Sequence, residues 1–226
     1  GGCREGSCML ARLCIAMMTP APAQRLILGS GSATRQAILS EMGLAFEVRK
    51  PDIDEKAIRF DDPAKLVMAL GKAKAAALIE GDRGADLRAS GAWVLTGDQV
   101  VVHRGRILEK PLDEAECRSF IAGYGEASPM TVGSCVLTNA ASGEQWAAVD
   151  EATIVFDPIP KSTVKALIAE GEVFNCAGGL MVEHPLVQPH VREMVGGIDT
   201  VMGLCKATVE RLLLSANQAR TADSAK

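Results

Sequence analysis

The chain has 226 residues, of which 48% are apolar and 23% charged, so its composition is that of a globular protein and excludes a disordered chain. A formal charge of -4 argues against a protein that coats duplex nucleic acid, which would carry a basic surplus. No apolar run reaches the roughly 20 residues of a membrane span, and the longest candidate, Met9 to Met18, is interrupted by Arg12.

The first 24 residues differ from the rest of the chain. They are small, rich in cysteine and end in Pro20-Ala21-Pro22, which predicts a flexible leader over 1–24, a single domain over 25–214 and a flexible tail over 215–226. The run from Met9 could also be the core of a targeting segment, but no convincing cleavage pattern accompanies it. Seven irregularly spaced cysteines without a C-x-x-C pair indicate reduced thiols in a cytoplasmic protein.

Short apolar segments alternate with helical segments along the domain. The first predicted strand, Leu26 to Leu28, leads through a Gly/Ser turn into a helix from Ala33 to Met42, which Ser32 caps. The elements predicted next are a strand at Phe46 to Arg49, an acidic loop at Pro51 to Phe60, a helix opening at Asp62-Pro63 and a polar loop at Glu80 to Gly91. Three short strands follow, at Trp93 to Leu95, Val100 to Val102 and Ile107-Leu108, and then a helix at Asp113 to Ala122. The rest of the domain is predicted to contain strands at Thr131 to Leu137 and Gln145 to Phe156 and helices at Lys161 to Ala169 and Val201 to Leu214. This alternation predicts an α/β protein with a twisted central sheet.

The Gly/Ser turn before the first helix is the first candidate site. It reads Ser30-Gly31-Ser32-Ala33-Thr34-Arg35. Unpaired N–H groups at a helix start, serine hydroxyls and the Arg35 guanidinium are all suited to binding phosphate. The turn is neither a Walker A loop nor G-x-G-x-x-G, and an ordinary turn with a capping serine fits the pattern equally well.

Charged residues at the ends of predicted elements are further candidates. Asp98 closely follows the strand Trp93 to Leu95, at the edge where open α/β sheets bind ligands. Lys110 precedes a proline and is therefore held extended, so that its ammonium can reach an anion. A turn aspartate and a surface lysine are the plain alternatives. Taken together, donors, lysines and acids of this kind suit a nucleoside triphosphate with a divalent cation.

A glycine-containing segment in the last third of the domain is less specific. Asn175-Cys176-Ala177-Gly178-Gly179 is followed by Glu183 and His184. Its two glycines would let the backbone approach a ligand closely, but a plain turn fits as well. His184 and His190 lie next to prolines and are predicted to be loop histidines rather than metal ligands.

The order of these segments resembles the Maf family of nucleoside triphosphate pyrophosphatases. The stretches that carry the resemblance are LILGSGSATRQAIL, DIDE, LGKAKA, TGDQVV, LEKP, NCAGGL and TVMGL. The resemblance implies hydrolysis of a nucleoside triphosphate between its α and β phosphates, to a monophosphate and pyrophosphate, with Mg²⁺ or Mn²⁺ required. It also implies a mixed α/β sheet flanked by helices, two lobes with the substrate in the cleft between them, and a homodimer.

The resemblance assigns roles to individual residues. Asp98 matches the catalytic proton acceptor and would also ligate the metal, together with Glu55. The residues matched to phosphate binding are Ser30, Ser32, Arg35, Lys72 and Lys110. General chemistry agrees, because cations must neutralise a triphosphate and carboxylates hold a hard cation whose bound water becomes more acidic.

Three positions would select the base, namely Thr34, Gln99 and Glu183. Many family members have threonine where this chain has Gln99 and glutamine where it has Glu183. The Asp-Gln pair, the Cys-Ala-Gly stretch and the glutamate resemble the branch that acts on 7-methyl-GTP, whereas the other choices belong to the branch that acts on dTTP and UTP. A carboxylate can accept N–H bonds from a guanine edge. Thr34 matches neither branch.

Two further functions stay open. A non-catalytic nucleotide-binding regulator fits the family's link to septum formation and cell division, and it would bind a triphosphate without cleaving it. A nucleic-acid-binding domain is disfavoured, since the chain has no basic stripe and offers only one Tyr, two Trp and five Phe for stacking on bases.

Overall fold

The computed structural model describes residues 25–224, so the predicted leader and the apolar run at Met9 lie outside the described residues. The strands in this range are β1 (Leu26–Leu28), β2 (Glu47–Val48), β3 (Trp93–Thr96), β4 (Gln99–His103), β5 (Arg106–Leu108), β6 (Met130–Asn139), β7 (Gln145–Phe156) and β8 (Val191–Val195). The helices are α1 (Ala33–Glu41), α2 (Pro63–Ile79), α3 (Ala85–Ser90), α4 (Glu114–Gly123), α5 (Lys161–Glu170), α6 (Ile198–Val201) and α7 (Lys206–Ser224). None of these helices combines the length and the apolar character needed to cross a membrane.

The strands between residues 25 and 224 form one mixed sheet. β1 pairs in parallel with β2 and β3, whereas every other pairing among the described strands is antiparallel. The long strand β6 is central: β3 and β4 pair with successive halves of one of its edges, and β7 pairs along the other. The predicted α/β class, with a mixed sheet flanked by helices, is confirmed.

Helix starts follow local capping chemistry. The Ser32 hydroxyl accepts a hydrogen bond from the Arg35 N–H at the start of α1. At the start of α2 the Asp62 carboxylate accepts from the N–H groups of the second and third helical residues, and Pro63 fills the first position, where no N–H is needed. These two caps fix where the helices that frame the candidate site begin.

Three elements differ from the sequence-based predictions. The region predicted as a polar loop contains α3, which buries Leu87 and ends at Gly91 in the left-handed conformation. The edge strand β8 is not predicted by its sequence. The last helix is interrupted by a turn at Gly203, whose φ is +104°, and α7 continues to Ser224 because Ala216 is still buried against the core.

Four clusters of buried apolar side chains pack helices against the sheet in the described part of the chain, and α2 takes part in two of them. One cluster packs α1 and α7 against β1 and β3 and includes Trp93. Another packs α4 and α5 against β4 and β7 and includes Tyr124. β3 contributes Trp93 to the first of these clusters and β4 contributes Val101 to the second, so the short link between these strands, Gly97-Asp98, joins the two regions.

Candidate active site

The link between β3 and β4 fixes the position of Asp98. A Cβ atom at Gly97 would lie 2.1 Å from the carbonyl oxygen of Ser134 on β6, so only glycine fits there. The Ser134 hydroxyl accepts from the Asp98 N–H at 3.1 Å and donates to the Val67 carbonyl oxygen at 2.6 Å. Ser134 of β6 therefore fixes the backbone that carries Asp98, and the hydroxyl of the same serine connects that backbone to α2.

Two carboxylates converge on the Lys74 ammonium. Its Nζ lies 2.8 Å from Asp98 Oδ1 and 2.9 Å from Glu55 Oε1. The lysine side chain is 8% exposed, compared with 17% for Asp98 and 55% for Glu55, so the site opens to solvent on the Glu55 side. One cation thus brings together acids that lie 43 residues apart in the sequence, since 98 − 55 = 43.

Lys74, rather than the predicted Lys72, occupies this position. The buried face of α2 passes through Leu70, Lys74 and Leu78, four residues apart, whereas Lys72 is exposed. By sequence alone, Leu66, Leu70, Ala73 and Ala77 predict an apolar stripe at helical spacing. Ala73 and Ala77 are only partly buried, however, and the buried face runs through Lys74 instead. Within residues 25–224, Lys72 has no hydrogen bond or ion pair to the other candidate residues.

Arg35 ties the Ser30 turn to two distant segments. Its Nε donates to the Gly203 carbonyl oxygen at 2.9 Å, and its Nη1 donates to the Gly97 carbonyl oxygen at 3.0 Å and to Ser30 Oγ at 3.3 Å. Burial lowers the pKa of the guanidinium, while the charge of nearby Asp98 acts in the opposite direction. Arg35 therefore couples the serine turn to the link that carries Asp98.

Two of the three predicted base-selecting residues lie beside this turn. The Thr34 hydroxyl is 2.8 Å from that of Ser32. Gln99 Nε2 donates to the Val201 carbonyl oxygen at 2.8 Å, and a Cβ atom at Gly203 would lie 2.6 Å from Gln99 Oε1. The serine turn, the start of β4 and the turn between α6 and α7 thus meet at one place.

The charges of Lys110 and Glu183 both affect the pKa of the Cys176 thiol. Burial chiefly raises the pKa of the Cys176 thiol, to about 11; the Glu183 carboxylate raises it further, and the Lys110 ammonium lowers it. The N–H of Gly178 donates to the Glu109 carbonyl oxygen at 2.8 Å, which joins the Cys176 segment to the segment of Lys110. These two predicted residues therefore share a neighbourhood.

The two glycines after Cys176 serve packing. Gly178 has a φ of +61°, and a Cβ atom there would lie 2.5 Å from Tyr124 Oη, which donates to the Gly178 carbonyl oxygen at 2.6 Å. A Cβ atom at Gly179 would lie 3.2 Å from Cys117 Sγ. The close approach that these glycines permit is thus an approach to protein atoms of α4.

Arg59 links the Cys176 neighbourhood to the acidic site. Its Nη1 donates to Glu109 Oε1 at 3.0 Å and to the Glu55 carbonyl oxygen at 3.5 Å. Glu109 directly precedes Lys110, and Glu55 is one of the two acids on Lys74. Contacts thus connect Ser30, Ser32, Thr34, Arg35, Gln99, Asp98 and Glu55, and Arg59 extends this series to Glu109, the neighbour of Lys110 in the sequence.

The carboxylates beside Lys74 fit a divalent cation. Asp98 and Glu55 already share one cationic group, and Mg²⁺ typically takes one or two carboxylates and completes its shell with waters and substrate phosphates. Among residues 25–224, no group of three or more His, Cys, Asp or Glu side chains could hold a metal ion. The donor set therefore suits a cation shared with a phosphate-bearing ligand better than a metal held by protein alone.

Sequence reasoning missed four residues that build this site, namely Lys74, Ser134, Arg59 and Gly203. A signal existed for Lys74, which lies one turn after Leu70 on the same helical face. Gly203 lies in the stretch TVMGL that carries the family resemblance, although no role came with it. Ser134 and Arg59 act through long-range contacts that no local pattern reveals.

Comparison with known proteins supports the same family. A family model described as Maf-like protein matches residues 25–216. A 7-methyl-GTP pyrophosphatase of Dictyostelium discoideum is 37% identical over 197 residues, which cover 85% of this chain and 98% of the relative. A nucleoside triphosphate pyrophosphatase of Streptomyces coelicolor is 32% identical over 197 residues, with coverages of 87% and 92%. A dTTP/UTP pyrophosphatase of Symbiobacterium thermophilum is 32% identical over 160 residues, with coverages of 71% and 78%. The chain therefore belongs to the Maf family, as the order of its segments predicts.

Proposed function

We propose that this protein hydrolyses a nucleoside triphosphate between the α and β phosphates and releases a monophosphate and pyrophosphate. The observation that carries the proposal is the convergence of Asp98 and Glu55 on Lys74, next to the turn that Arg35 holds. The relatives named as pyrophosphatases for nucleoside triphosphates, 7-methyl-GTP and dTTP/UTP support the reaction type. This reaction makes the protein a hydrolase that acts on an acid anhydride.

Asp98 is the proposed general base. Its carboxylate accepts a proton from the water that attacks the α-phosphorus, while pyrophosphate leaves. Asp98 and Glu55 would hold Mg²⁺ or Mn²⁺, which polarises the phosphoryl group and lowers the pKa of bound water. Lys74 holds both acids in place, because its ammonium forms an ion pair with each of them.

The remaining residues hold the substrate. Ser30 and Ser32 present hydroxyls at the start of α1, where the helix dipole also favours an anion. Arg35 adds positive charge behind this turn, and Lys110 approaches from the Cys176 side. Of the lysines of α2, Lys74 rather than the predicted Lys72 belongs to the site in this proposal, and it acts by positioning the two acids.

For the substrate we propose 7-methyl-GTP, with Thr34, Gln99 and Glu183 selecting the base. The relative from Dictyostelium discoideum carries that substrate in its name, and the Glu183 carboxylate can accept N–H bonds from a guanine edge. The rival preference for dTTP and UTP is carried by the name of the Symbiobacterium relative. A panel of canonical and methylated triphosphates, scored for pyrophosphate release, separates the two preferences without disturbing the reaction type.

Asp98→Asn tests the reaction itself. Loss of the base lowers kcat by about two to four orders of magnitude, while circular dichroism shows an intact fold. Glu144→Gln, in the exposed turn between β6 and β7, is the matched control and keeps full activity. Equal turnover in wild type and Asp98→Asn would contradict the proposal. Tight triphosphate binding by a wild type that forms no product would assign the chain to the rival regulatory function.

We also propose that the protein works in the cytoplasm as a homodimer. The family resemblance implies the dimer, and the free thiols of the described cysteines, Cys117, Cys135, Cys176 and Cys205, are consistent with a reducing compartment. Light scattering after size-exclusion chromatography tests the dimer, because a mass near 23.8 kDa, that of a single chain, would contradict it.

A further inference from the structure

A cavity of about 320 Å³ adjoins the serine turn and is lined largely by cations. Its walls are Arg49, Lys50 and Arg83, together with Ala77 and Leu78 of α2. None of the three basic residues belongs to the set predicted from the sequence. The cavity therefore adds a concentration of positive charge that the proposed catalytic machinery does not use.

Two contacts place this cavity next to the candidate active site. A Cβ atom at Gly31 would lie 2.9 Å from Lys50 Cε, so the lysine stem crosses the serine turn. A Cβ atom at Gly29 would lie 2.7 Å from Leu78 Cδ1. Leu78 follows Lys74 by one turn of α2, a rise of about 6 Å, so the cavity wall includes a residue one helical turn after the lysine that holds Asp98.

The charges in the cavity are only partly compensated. Arg49 donates to Asp86 at 2.9 Å, and hydrogen bonding to that acid raises the pKa of Arg49. Arg83 lies 3.6 Å from Asp52, in a pair whose side chains are 73% and 88% exposed, and such exposed pairs contribute little. Lys50 has no ion pair among residues 25–224.

Two cations of the candidate active site, Lys74 and Arg35, are by contrast already engaged with protein atoms. Lys74 is bonded to two carboxylates. Arg35 donates to two backbone carbonyls and to the Ser30 hydroxyl. Of the predicted phosphate-binding cations near Asp98, Lys110 has no ion pair among residues 25–224, and a single ammonium does not balance the several negative charges of a triphosphate.

We infer that the cavity lined by Arg49, Lys50 and Arg83 is a subsite for the pyrophosphate end of the substrate. The α-phosphorus would lie at Asp98, and the β and γ phosphates would extend past the serine turn into this cavity. The same contacts would hold the pyrophosphate product after cleavage. This inference rests on the proposed function, because it assigns the leaving group of that reaction.

The test uses Lys50→Met, which keeps the stem over Gly31 and removes the charge, and Arg83→Met. Each variant should raise both the KM for the triphosphate and the inhibition constant of pyrophosphate by about 3- to 10-fold, since a charge-assisted contact of modest strength is lost. The inhibition constant of the monophosphate product should not change, and Lys50→Arg should restore wild-type values. Lys165→Met, on the exposed face of α5, is the matched control.

Three results would overturn the subsite. The first is that the KM and the pyrophosphate inhibition constant of the Lys50 and Arg83 variants lie within twofold of those of the Lys165 variant. The second is a fall in their kcat without a rise in KM. The third is weaker binding of pyrophosphate with an unchanged KM for the triphosphate. The last of these would describe a site for free anions instead. A wild type that cleaves no triphosphate would sink the proposed function, and calorimetry with pyrophosphate would then still test whether Lys50 and Arg83 bind this anion.

Discussion

Lys74 and Asp98 form an ion pair with an Nζ–Oδ1 distance of 2.8 Å between the middle of α2 and the link that joins β3 to β4. The same nitrogen reaches Glu55. Removing this cation leaves two carboxylates facing each other in a partly buried place, where like charges repel. Lys74 is therefore a positioning residue for both acids.

The first prediction compares the two lysines of α2. Lys74→Met should lower kcat/KM by at least about 100-fold, because both acids lose the group that orients them and such misplacement is costly. Lys72→Met should lower it by far less, since that side chain is exposed. Steady-state kinetics on both variants decides the matter, and a larger loss for Lys72 would show that the geometry beside Asp98 is not the one that binds substrate.

Gly203 supplies the second prediction. Its φ of +104° and the closeness of Gln99 Oε1 and Arg35 Nε exclude a side chain without strain. Gly203→Ala should destabilise the fold by about 1–3 kcal/mol and lower the melting temperature by about 3–10 °C. It should also reduce activity, because the backbone must shift to admit the methyl group and thereby displaces the carbonyl oxygen that accepts from Arg35 Nε.

Gly143→Ala is the control for this glycine. Gly143 has a φ of +76°, but a Cβ atom there would have no neighbour within 4 Å. Gly143→Ala should therefore lose stability only through the strained backbone conformation, without a steric clash, and should keep its activity. Equal activity losses in the two variants would mean that the contact of Arg35 with Gly203 plays no part in catalysis.

Cys176 reports on the charges around it. With its pKa raised to about 11, chiefly by burial, little thiolate is present at pH 8, and alkylation should be slow. Glu183→Gln removes a negative charge, favours the thiolate and should speed alkylation by about two- to threefold, whereas Lys110→Met should slow it by a similar factor. Peptide mass spectrometry after iodoacetamide treatment measures the rates. If both substitutions changed the alkylation rate in the same direction, Glu183 and Lys110 would not be the charges that act on Cys176.

Asp86 gives the protein an acid-sensitive contact outside the site. Hydrogen bonds, above all from Arg49 and also from Arg25, hold the pKa of Asp86 well below its usual value. Because the pKa of Asp86 is lower in the folded than in the unfolded protein, its ionised carboxylate stabilises the folded state. This stabilisation is complete above about pH 4, the pKa of an unfolded aspartate, and is lost as the pH falls further.

Asp86→Asn should accordingly lower the melting temperature at pH 7, and the gap to wild type should narrow below about pH 4. Thermal unfolding between pH 3 and pH 7 measures it. Asp61→Asn, which changes an exposed acid without an ion pair in the described part of the chain, should show no such narrowing. A gap for Asp86→Asn that is constant with pH would contradict the assignment.

Local chemistry made much of the fold predictable. The serine cap of α1, the Asp62-Pro63 start of α2 and the hairpin of β6 and β7 all follow from signals within a few residues. β8 was not predictable in this way, because Arg192 and Glu193 interrupt its apolar pattern and only pairing with β7 makes it a strand. α3 was hidden by Gly81 and Gly91, which read as loop residues although Gly91 is the helix stop.

Which residues lie near one another in the candidate site was predictable where they belong to recognisable segments, whereas their roles stay predictions. Asp98, Ser30, Arg35 and Glu55 lie in motifs, and the structure connects them. The choice between Lys72 and Lys74 depends on which face of α2 is buried, and α2 is rich in alanine, whose small side chains mark neither face clearly. The cavity beside Lys50 has no local signature, since its walls come from three separated segments.

The bond between Arg35 and Gly203 has a consequence for synthesis. The turn at residues 29–32 leaves the ribosome early, but the carbonyl oxygen that receives the Arg35 guanidinium is supplied by a residue 168 positions later. A nascent chain that has not yet reached Gly203 lacks the acceptor of Arg35 Nε, even when Ser30 and Gly97 are already present to accept from Nη1. The nucleotide pocket can be completed only when nearly all of the domain has been translated, so ligand binding can stabilise the finished domain but cannot guide the folding of its first half.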